Sequence, residues 1–351
     1  MKILALTRYS RLGASSRLRM FQFFPDLQKG GFEIDFNSLL NDDYIKNRYN
    51  HRNYWGQVVR GYLKRTKKLL SIKNFDLLWI EKELFPFIPG WIEQIIRFAK
   101  VPYIVDYDDA IFYQYEQNPR YFVRALLKNK IDKIMNNSKV VIVGNEFLAK
   151  KAYSSGAKNV EIIPTVIDLN KYQQLNKKPT NNISVGWIGS PSTSHYLKEI
   201  SSIIINLAKK ENISFRVIGL AKKDLSNLPI KCIPWNEKTE VNEISNFDIG
   251  IMPLTNGPWE KGKCGYKLVQ YMACGLPVIG SPIGVNSNII DHGKTGYLAS
   301  SKNDWTNYII KLSSDFNLRK NLGYYGRKKV QEQYCLQVQL PKIIKIFSSI
   351  I

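Results

Sequence analysis

Residues 262–284 read GKCGYKLVQYMACGLPVIGSPIG. Gly265 on one side and Gly275-Leu276-Pro277 on the other bracket Tyr266 to Cys274, a run of helix formers, so the spacing predicts a helix with a defined start and stop. On it Val269, Met272 and Ala273 share one face and Lys267, Gln270 and Cys274 another. A helix start carries backbone N–H groups without intrahelical partners and the positive end of the dipole, which suits a phosphate. Gly265 lets that backbone be approached closely, Lys263 and Lys267 add charge, Tyr266 opens the first turn, and Gln270 one turn along can hydrogen-bond a ribose hydroxyl. The implied ligand is a nucleoside diphosphate; a plain turn before a helix is the other reading.

A second stretch of the same kind lies upstream. After the strand-like ISVGWIG comes SPSTSHYLKEI, where Gly189, Ser190, Ser192 and Thr193 form a small, hydroxyl-rich loop opening another helix. Strand, Gly-Ser loop and helix make a phosphate-binding arrangement, although the spacing matches neither the dinucleotide fingerprint nor the P-loop.

Outward from these stretches, short β-rich runs alternate with helical ones. In the first half they are 2–7, a helix over 16–29, then 33–37, 77–81, 103–106 and 140–143. In the second they are 183–188, a helix after Ser194, then 215–219, 249–253 and 278–280. Such alternation predicts α/β architecture: two doubly wound, Rossmann-like domains in tandem, facing a central cleft. The polar segment 164–182, PTVIDLNKYQQLNKKPTNN, is the expected linker. The domains are set at 1–165 and 166–335, with a helix over about 336–351 packing back on the first. A length of 351 residues, 44% of them hydrophobic, supplies two cores.

No apolar run approaches the roughly 20 residues that span a bilayer, and the amino-terminal apolar run is too short for a signal peptide, so a cytoplasmic protein is expected. The four cysteines lack a Cys-x-x-Cys pair and the three histidines are scattered, so no metal site is indicated. The formal net charge of +22 implies an anionic partner. Between Asp43 and Asp76 every charged side chain is basic. Within that stretch Trp55, Val58, Val59, Tyr62, Leu63, Leu69 and Leu70 recur at helical spacing, opposite Arg60, Lys64, Lys67 and Lys68. A basic amphipathic helix follows, packing its stripe on its own domain or resting peripherally on an anionic membrane.

Several segments, in order, resemble glycosyltransferase family 4, among the glycosyl transferases of group 1: NFDIGIMPL, KCGYKLVQYMACGLPVIGSPIGVN and IIDHGKTGYLA in the second half, and MKILALT, GASSRLR and VVIVGNEFLAKKAYSSGAKNVEIIPTVIDLNKY in the first. The resemblance implies the GT-B fold, retention at the anomeric carbon, and transfer from a UDP- or GDP-type sugar without a metal or other cofactor. The acceptor it implies is a glycan or lipid-linked hydroxyl, as in cell-surface polysaccharide assembly. The chain departs from the family at the Glu-x7-Glu pair, where Gly262 and Gln270 stand; Glu260, two residues earlier, is the candidate substitute for the missing first glutamate. The family's Arg and Lys after the first strand of the second domain are replaced by Gly189 to Thr193.

VPYIVDYDDAIF places Asp106, Asp108 and Asp109 directly after a strand. The resemblance gives Asp106 or Asp108 a catalytic or acceptor-positioning role; capping the next helix is the alternative. Gly13 and Ser15 in the opening loop, with Arg17 and Arg19 at the helix start behind it, suit an acceptor phosphate; a surface salt bridge is the other reading for either arginine. Glu81 and Glu83 in WIEKELFP close a further strand toward the cleft, with an acceptor role. Two rival classes remain: a GT-B-shaped nucleotide-sugar epimerase, and a basic nucleic-acid-binding protein, which no zinc-finger, RRM-like or helix-turn-helix signature supports.

Overall fold

The computed structural model describes residues 1–90, 93–173, 177–210, 212–225 and 227–350. It divides into two compact units: Met1–Thr165 with Gly262–Cys264 and Gln339–Ile351, and Val166–Lys261 with Gly265–Val338. Of the expected linker, residues 174–176 lie outside the described residues.

The first unit is built on a six-stranded parallel sheet of β1 (Lys2–Tyr9), β2 (Glu33–Leu40), β3 (Leu77–Glu81), β4 (Tyr103–Tyr107), β5 (Val140–Val143) and β6 (Val160–Ile162). β3, β4 and β5 are buried at every residue, as expected of parallel strands covered on both faces. The spatial order β2-β1-β3-β4-β5-β6 reverses between β1 and β3, so the crevice of this unit opens at the carboxyl ends of those strands. The helix expected over 16–29 is broken. A π-turn covers Arg17–Phe21, and a separate helix Phe24–Lys29 begins with a proline in its first turn, which has no N–H to continue the earlier ladder.

The helix Trp55–Leu69 packs on β2 in an unexpected way. Its inward face is Gly61, Arg65 and Leu69. A β-carbon on Gly61 would stand 1.9 Å from the Leu39 carbonyl oxygen, so only glycine permits this approach. Arg65, fully buried, donates to the carbonyl oxygens of Thr7 (2.6 Å), Asn37 (2.8 Å) and Leu84 (3.2 Å), tying the helix to three segments at once. Trp55, Val59, Leu63 and Leu70 are left exposed. Phe347, in the helix Leu336–Ser348, completes the core of this unit by meeting Trp79 at 5.1 Å and Phe32 at 5.9 Å between ring centroids.

The second unit carries β7 (Ile183–Ile188), β8 (Ile213–Ile218), β9 (Ile230–Ile233), β10 (Ile249–Met252), β11 (Val278–Gly280) and β12 (Gly296–Leu298), again all parallel. Their order, β12-β11-β10-β7-β8-β9, reverses between β7 and β10. The helix Tyr266–Ala273 is buried from Leu268 to Ala273. It ends in a Schellman motif: Gly275, at φ +73°, donates to the Met272 oxygen and Leu276 to the Tyr271 oxygen.

Candidate functional site

In the second unit the reversal between β7 and β10 marks where a ligand would sit, outside the carboxyl ends of these strands. β7 runs into the Gly189–Thr193 loop. A β-carbon on Gly189 would lie 2.2 Å from the Trp187 ring and 2.8 Å from the Thr193 hydroxyl oxygen, so the loop folds directly over Trp187. Thr193 closes it by bonding the Ser190 carbonyl through both its N–H and its hydroxyl, each at 2.9 Å. Ser190 and Ser192 share a hydroxyl–hydroxyl bond of 2.8 Å. The expected helix start is modest here: Pro191–Thr193 is a 3-10 turn and His195–Lys198 has four residues, so no long helix dipole opens at this loop.

Two further expected residues come to the same segment. The Lys267 ammonium stands 4.2 Å from the Trp187 ring centroid, a cation–π contact that brings its charge beside the Gly189 loop. Buried Glu260, on the short helix after β10, accepts a 2.5 Å bond from the Tyr196 hydroxyl, just past that loop. Gly265 caps the Tyr266–Ala273 helix in the left-handed region at φ +64°, and a β-carbon there would also lie 2.3 Å from Ile289 Cδ1. Half-buried Tyr266 begins the helix beside Tyr172. Gln270 is buried and its amide nitrogen donates to the Tyr172 hydroxyl at 2.9 Å, so that nitrogen is committed within the unit. Burial pushes the Tyr172 phenol well above its ordinary value, which keeps it a neutral partner.

Lys263 departs from the expected set. The segment Gly262–Cys264 belongs to the first unit, where Asn145 Nδ2 donates to the Gly262 oxygen (2.9 Å) and the Lys263 oxygen (3.1 Å), and Cys264 Sγ donates to the Asp108 oxygen (3.0 Å). Its ammonium acts on Asp109 there.

In the first unit, charged groups gather at the carboxyl ends of β1, β3 and β4. Glu81 Oε2 accepts from the Arg8 N–H (2.7 Å) and the Ser16 hydroxyl (2.5 Å), and the Tyr9 N–H donates to Ser16 (2.9 Å), fastening the Gly13–Ser16 loop. Ser15 stands beside Asp108, while Arg17 donates to the Arg11 carbonyl at 3.0 Å. Glu83 accepts from Tyr115 and, at 2.7 Å, from Lys130. Both glutamates are therefore buried organisers of the fold and do not open toward an acceptor.

Arg19 and Asp106 were expected to face a phosphate and an acceptor hydroxyl. They face each other: Nε to Oδ1 at 2.7 Å and Nη2 to Oδ2 at 3.2 Å, a fork closed in a site where the side chains are 2% and 1% exposed. The Ile163 carbonyl takes a further Arg19 bond at 2.6 Å. The nearby Asp106 charge, against the cost of burial, holds the Arg19 guanidinium above its ordinary value.

Asp108, 12% exposed against 1% for Asp106, is the more open of the two candidate aspartates, and its partner is a residue the sequence reading passed over. Lys82 sits inside the quoted WIEKEL, directly after β3, with φ +66°, a left-handed conformation that strains a lysine. Its ammonium lies 2.8 Å from Asp108 and 3.9 Å from Asp109. Burial works against the Asp108 charge, but Lys82 overcomes it and holds that carboxyl below its ordinary value. Asp109, 31% exposed, moves the other way: burial and the neighbouring Asp108 charge raise it. Burial and the shared Lys82 thus push the two neighbouring carboxyls in opposite directions. No sequence signal marks the strain at Lys82. The supporting rings Trp187, Tyr196 and Tyr172 are equally silent in the sequence, reading as ordinary core residues.

Among the described residues no group of three or more His, Cys, Asp or Glu side chains is arranged to hold a metal ion, and no helix is long and apolar enough to cross a membrane.

Residues 173–329 match the family described as Glycosyl transferases group 1. The chain is 38% identical over 133 residues to the N-acetyl-alpha-D-glucosaminyl L-malate synthase of Bacillus anthracis, covering 37% of this chain and only 30% of that relative's length. It is 24% identical over 329 residues to the uncharacterized glycosyltransferase MJ1178 of Methanocaldococcus jannaschii, covering 87% and 88% of the two chains. Its fold is similar to that of Anabaena Alr3699/HepE in complex with UDP-glucose, with a TM-score of 0.73 at 16% identity over 99% and 100% of the two chains. Residues 173–329 therefore carry the group 1 glycosyltransferase pattern, on a chain whose two Rossmann-like domains have the GT-B fold.

Proposed function

We propose that the chain is a glycosyltransferase of family 4 that moves a sugar, with retention at the anomeric carbon, from a UDP- or GDP-type donor to a hydroxyl of a glycan or lipid-linked acceptor. The observation that carries this reading is the meeting of the Gly189–Thr193 loop and Lys267 at the Trp187 ring, at the strand reversal of the second unit, with Glu260 held by Tyr196 in the helix that follows the loop. The leaving diphosphate gains negative charge in the transition state, and Lys267 with the loop amides and hydroxyls, fixed in advance, stabilise it there. Gly265 lets the helix start approach the same group, Gln270 Oε1 is its ribose contact, and Glu260 takes the sugar-contacting place of the missing family glutamate.

In the first unit, Asp108 accepts a hydrogen bond from the acceptor hydroxyl and orients it, with Lys82 holding the carboxylate charged. The reaction as proposed uses no metal or other cofactor, and it belongs to cell-surface polysaccharide assembly at the cytoplasmic face of an anionic membrane. The likeness to a UDP-glucose-bound neighbour and to group 1 supports the donor class.

The test is a thermal-shift screen against UDP, GDP and their sugars, followed by turnover with and without a chelator. A ligand at about 100 times its Kd adds roughly 2.7 kcal/mol to the native state. No shift with any nucleotide overturns the reading, and conversion of a donor sugar to its isomer without acceptor replaces it with an epimerase.

A further inference from the structure

The helix Trp55–Leu69 presents three stripes. Gly61, Arg65 and Leu69 face the body of the first unit, and Trp55, Val59 and Leu63, spaced four apart, form a row on the outside. Trp55 is 66% exposed and Leu63 67%. Between these two stripes run Arg60, Lys64 and Lys67, all exposed and with no ion pair to a described residue.

A second short helix, Tyr121–Leu127, repeats the chemistry. Phe122 is 78% exposed and Leu126 72%, with Tyr121 beside them, and Arg120 and Lys128 stand at its two ends. From Gln117 to Ile131 no residue is acidic. The two helices are linked through one loop: the Tyr62 hydroxyl donates to the Pro86 carbonyl at 2.6 Å, and the next residue, Phe87, packs edge-on against Tyr115 at 5.5 Å, in the turn of helix preceding Tyr121. Phe87 is itself half exposed and held at φ +59°.

We propose that this face of the first unit, Trp55–Leu69 with Phe87 and Tyr121–Leu127, seats on an anionic lipid bilayer. Large apolar and aromatic side chains left in water beside lysines and arginines, of which Arg60, Lys64 and Lys67 form no ion pair with a described residue, fit the boundary between acyl chains and negatively charged headgroups. The rings and Leu63 enter the acyl boundary while the cations stay at phosphate level. A nucleic acid would take the charge but gives Val59, Leu63 and Leu126 nothing to bury against. A second copy of the chain would cover the apolar row but bring its own +22 charge against this one. The inference supplies the membrane contact of the proposed function and is independent of its chemistry, since vesicle binding needs no nucleotide sugar.

The experiment is flotation of the full chain with vesicles of phosphatidylcholine alone and of phosphatidylcholine with about one-third phosphatidylglycerol, at low and high salt. Binding is expected to the anionic vesicles, roughly tenfold or more above neutral ones, and to fall with salt. The triple variants Trp55→Ser/Val59→Ser/Leu63→Ser and Arg60→Gln/Lys64→Gln/Lys67→Gln, and the double variant Phe122→Ser/Leu126→Ser, each lower it by roughly tenfold or more. Their melting temperature and nucleotide-induced shift stay those of the parent, because these side chains lie outside the core. Absence of binding to either vesicle, or binding that all three variants retain, overturns the proposal. So does loss in the variants of self-association or of RNA binding when vesicles are not bound.

Discussion

The Lys267 ammonium and the Trp187 ring stand face to face, 4.2 Å apart, with the Gly189 loop folded over the same ring. One aromatic plane thereby fixes both a cation and a hydroxyl-rich loop. Lys267→Met removes the charge and leaves the ring, so affinity for UDP or GDP should fall about 10- to 100-fold, the worth of a charge-assisted hydrogen bond. Calorimetric titration checks this, and an unchanged Kd would place the diphosphate elsewhere.

Gly265→Ala adds a β-carbon to a backbone at φ +64° and drives it toward Ile289 Cδ1. The left-handed conformation alone costs about 1–2 kcal/mol for a residue with a side chain, and displacing the isoleucine adds to it. The melting temperature should drop by several degrees and nucleotide affinity with it. A variant that binds nucleotide as the parent does would separate this helix start from the site.

The aspartates should divide by role. Asp106→Ala strands the Arg19 guanidinium in a buried site, a loss of about 3–5 kcal/mol in stability. Asp108→Asn keeps the shape of the more open side chain but removes the charge that meets Lys82, and turnover should fall about 10²- to 10⁴-fold in a protein that remains folded. Denaturation curves and rates on the same two samples decide it; full transfer by Asp108→Asn would remove this residue from the chemistry.

Glu93 gives the first unit a pH dependence. Burial, only partly offset by Lys130, raises its carboxyl from 4.5 to about 7. A carboxyl that holds its proton more tightly folded than unfolded contributes stability that is complete below pH 4.5 and is lost as pH rises through about 7. The full span is about 3 kcal/mol. Glu93→Gln should flatten the part of the melting-temperature difference between acidic and mildly alkaline buffer that this group causes. Identical pH curves for the two proteins would contradict it.

Much of this architecture could be read from the chain because buried parallel strands are nearly continuous apolar runs: β3, β5, β7 and β11 lie where the sequence reading put them. β6, β9 and β12 were not foreseen. They are short strands of three or four residues at the sheet edges, and no residue of β6 or β9 is fully buried, so their pattern does not differ from loop. The helix Tyr266–Ala273 was legible to within a residue because its glycines are needed at both ends. Pairing was not. The fork between Arg19 and Asp106 joins residues 87 positions apart, and nothing in either segment says that the other will neutralise it. The outward turn of Trp55 and Leu63 was also hidden, since periodicity fixes which residues share a face but leaves open which face turns inward; a lone arginine, Arg65, with three carbonyls to satisfy, took the inner position.

Phe347 carries a consequence for biosynthesis. Its ring fills space between Trp79 and Phe32, so a layer of the amino-terminal core is contributed by a helix translated after the whole second unit. A ribosome-bound intermediate holding the first unit alone would expose these aromatic rings and offer chaperones a sticky nascent surface until the helix that carries Phe347 emerges.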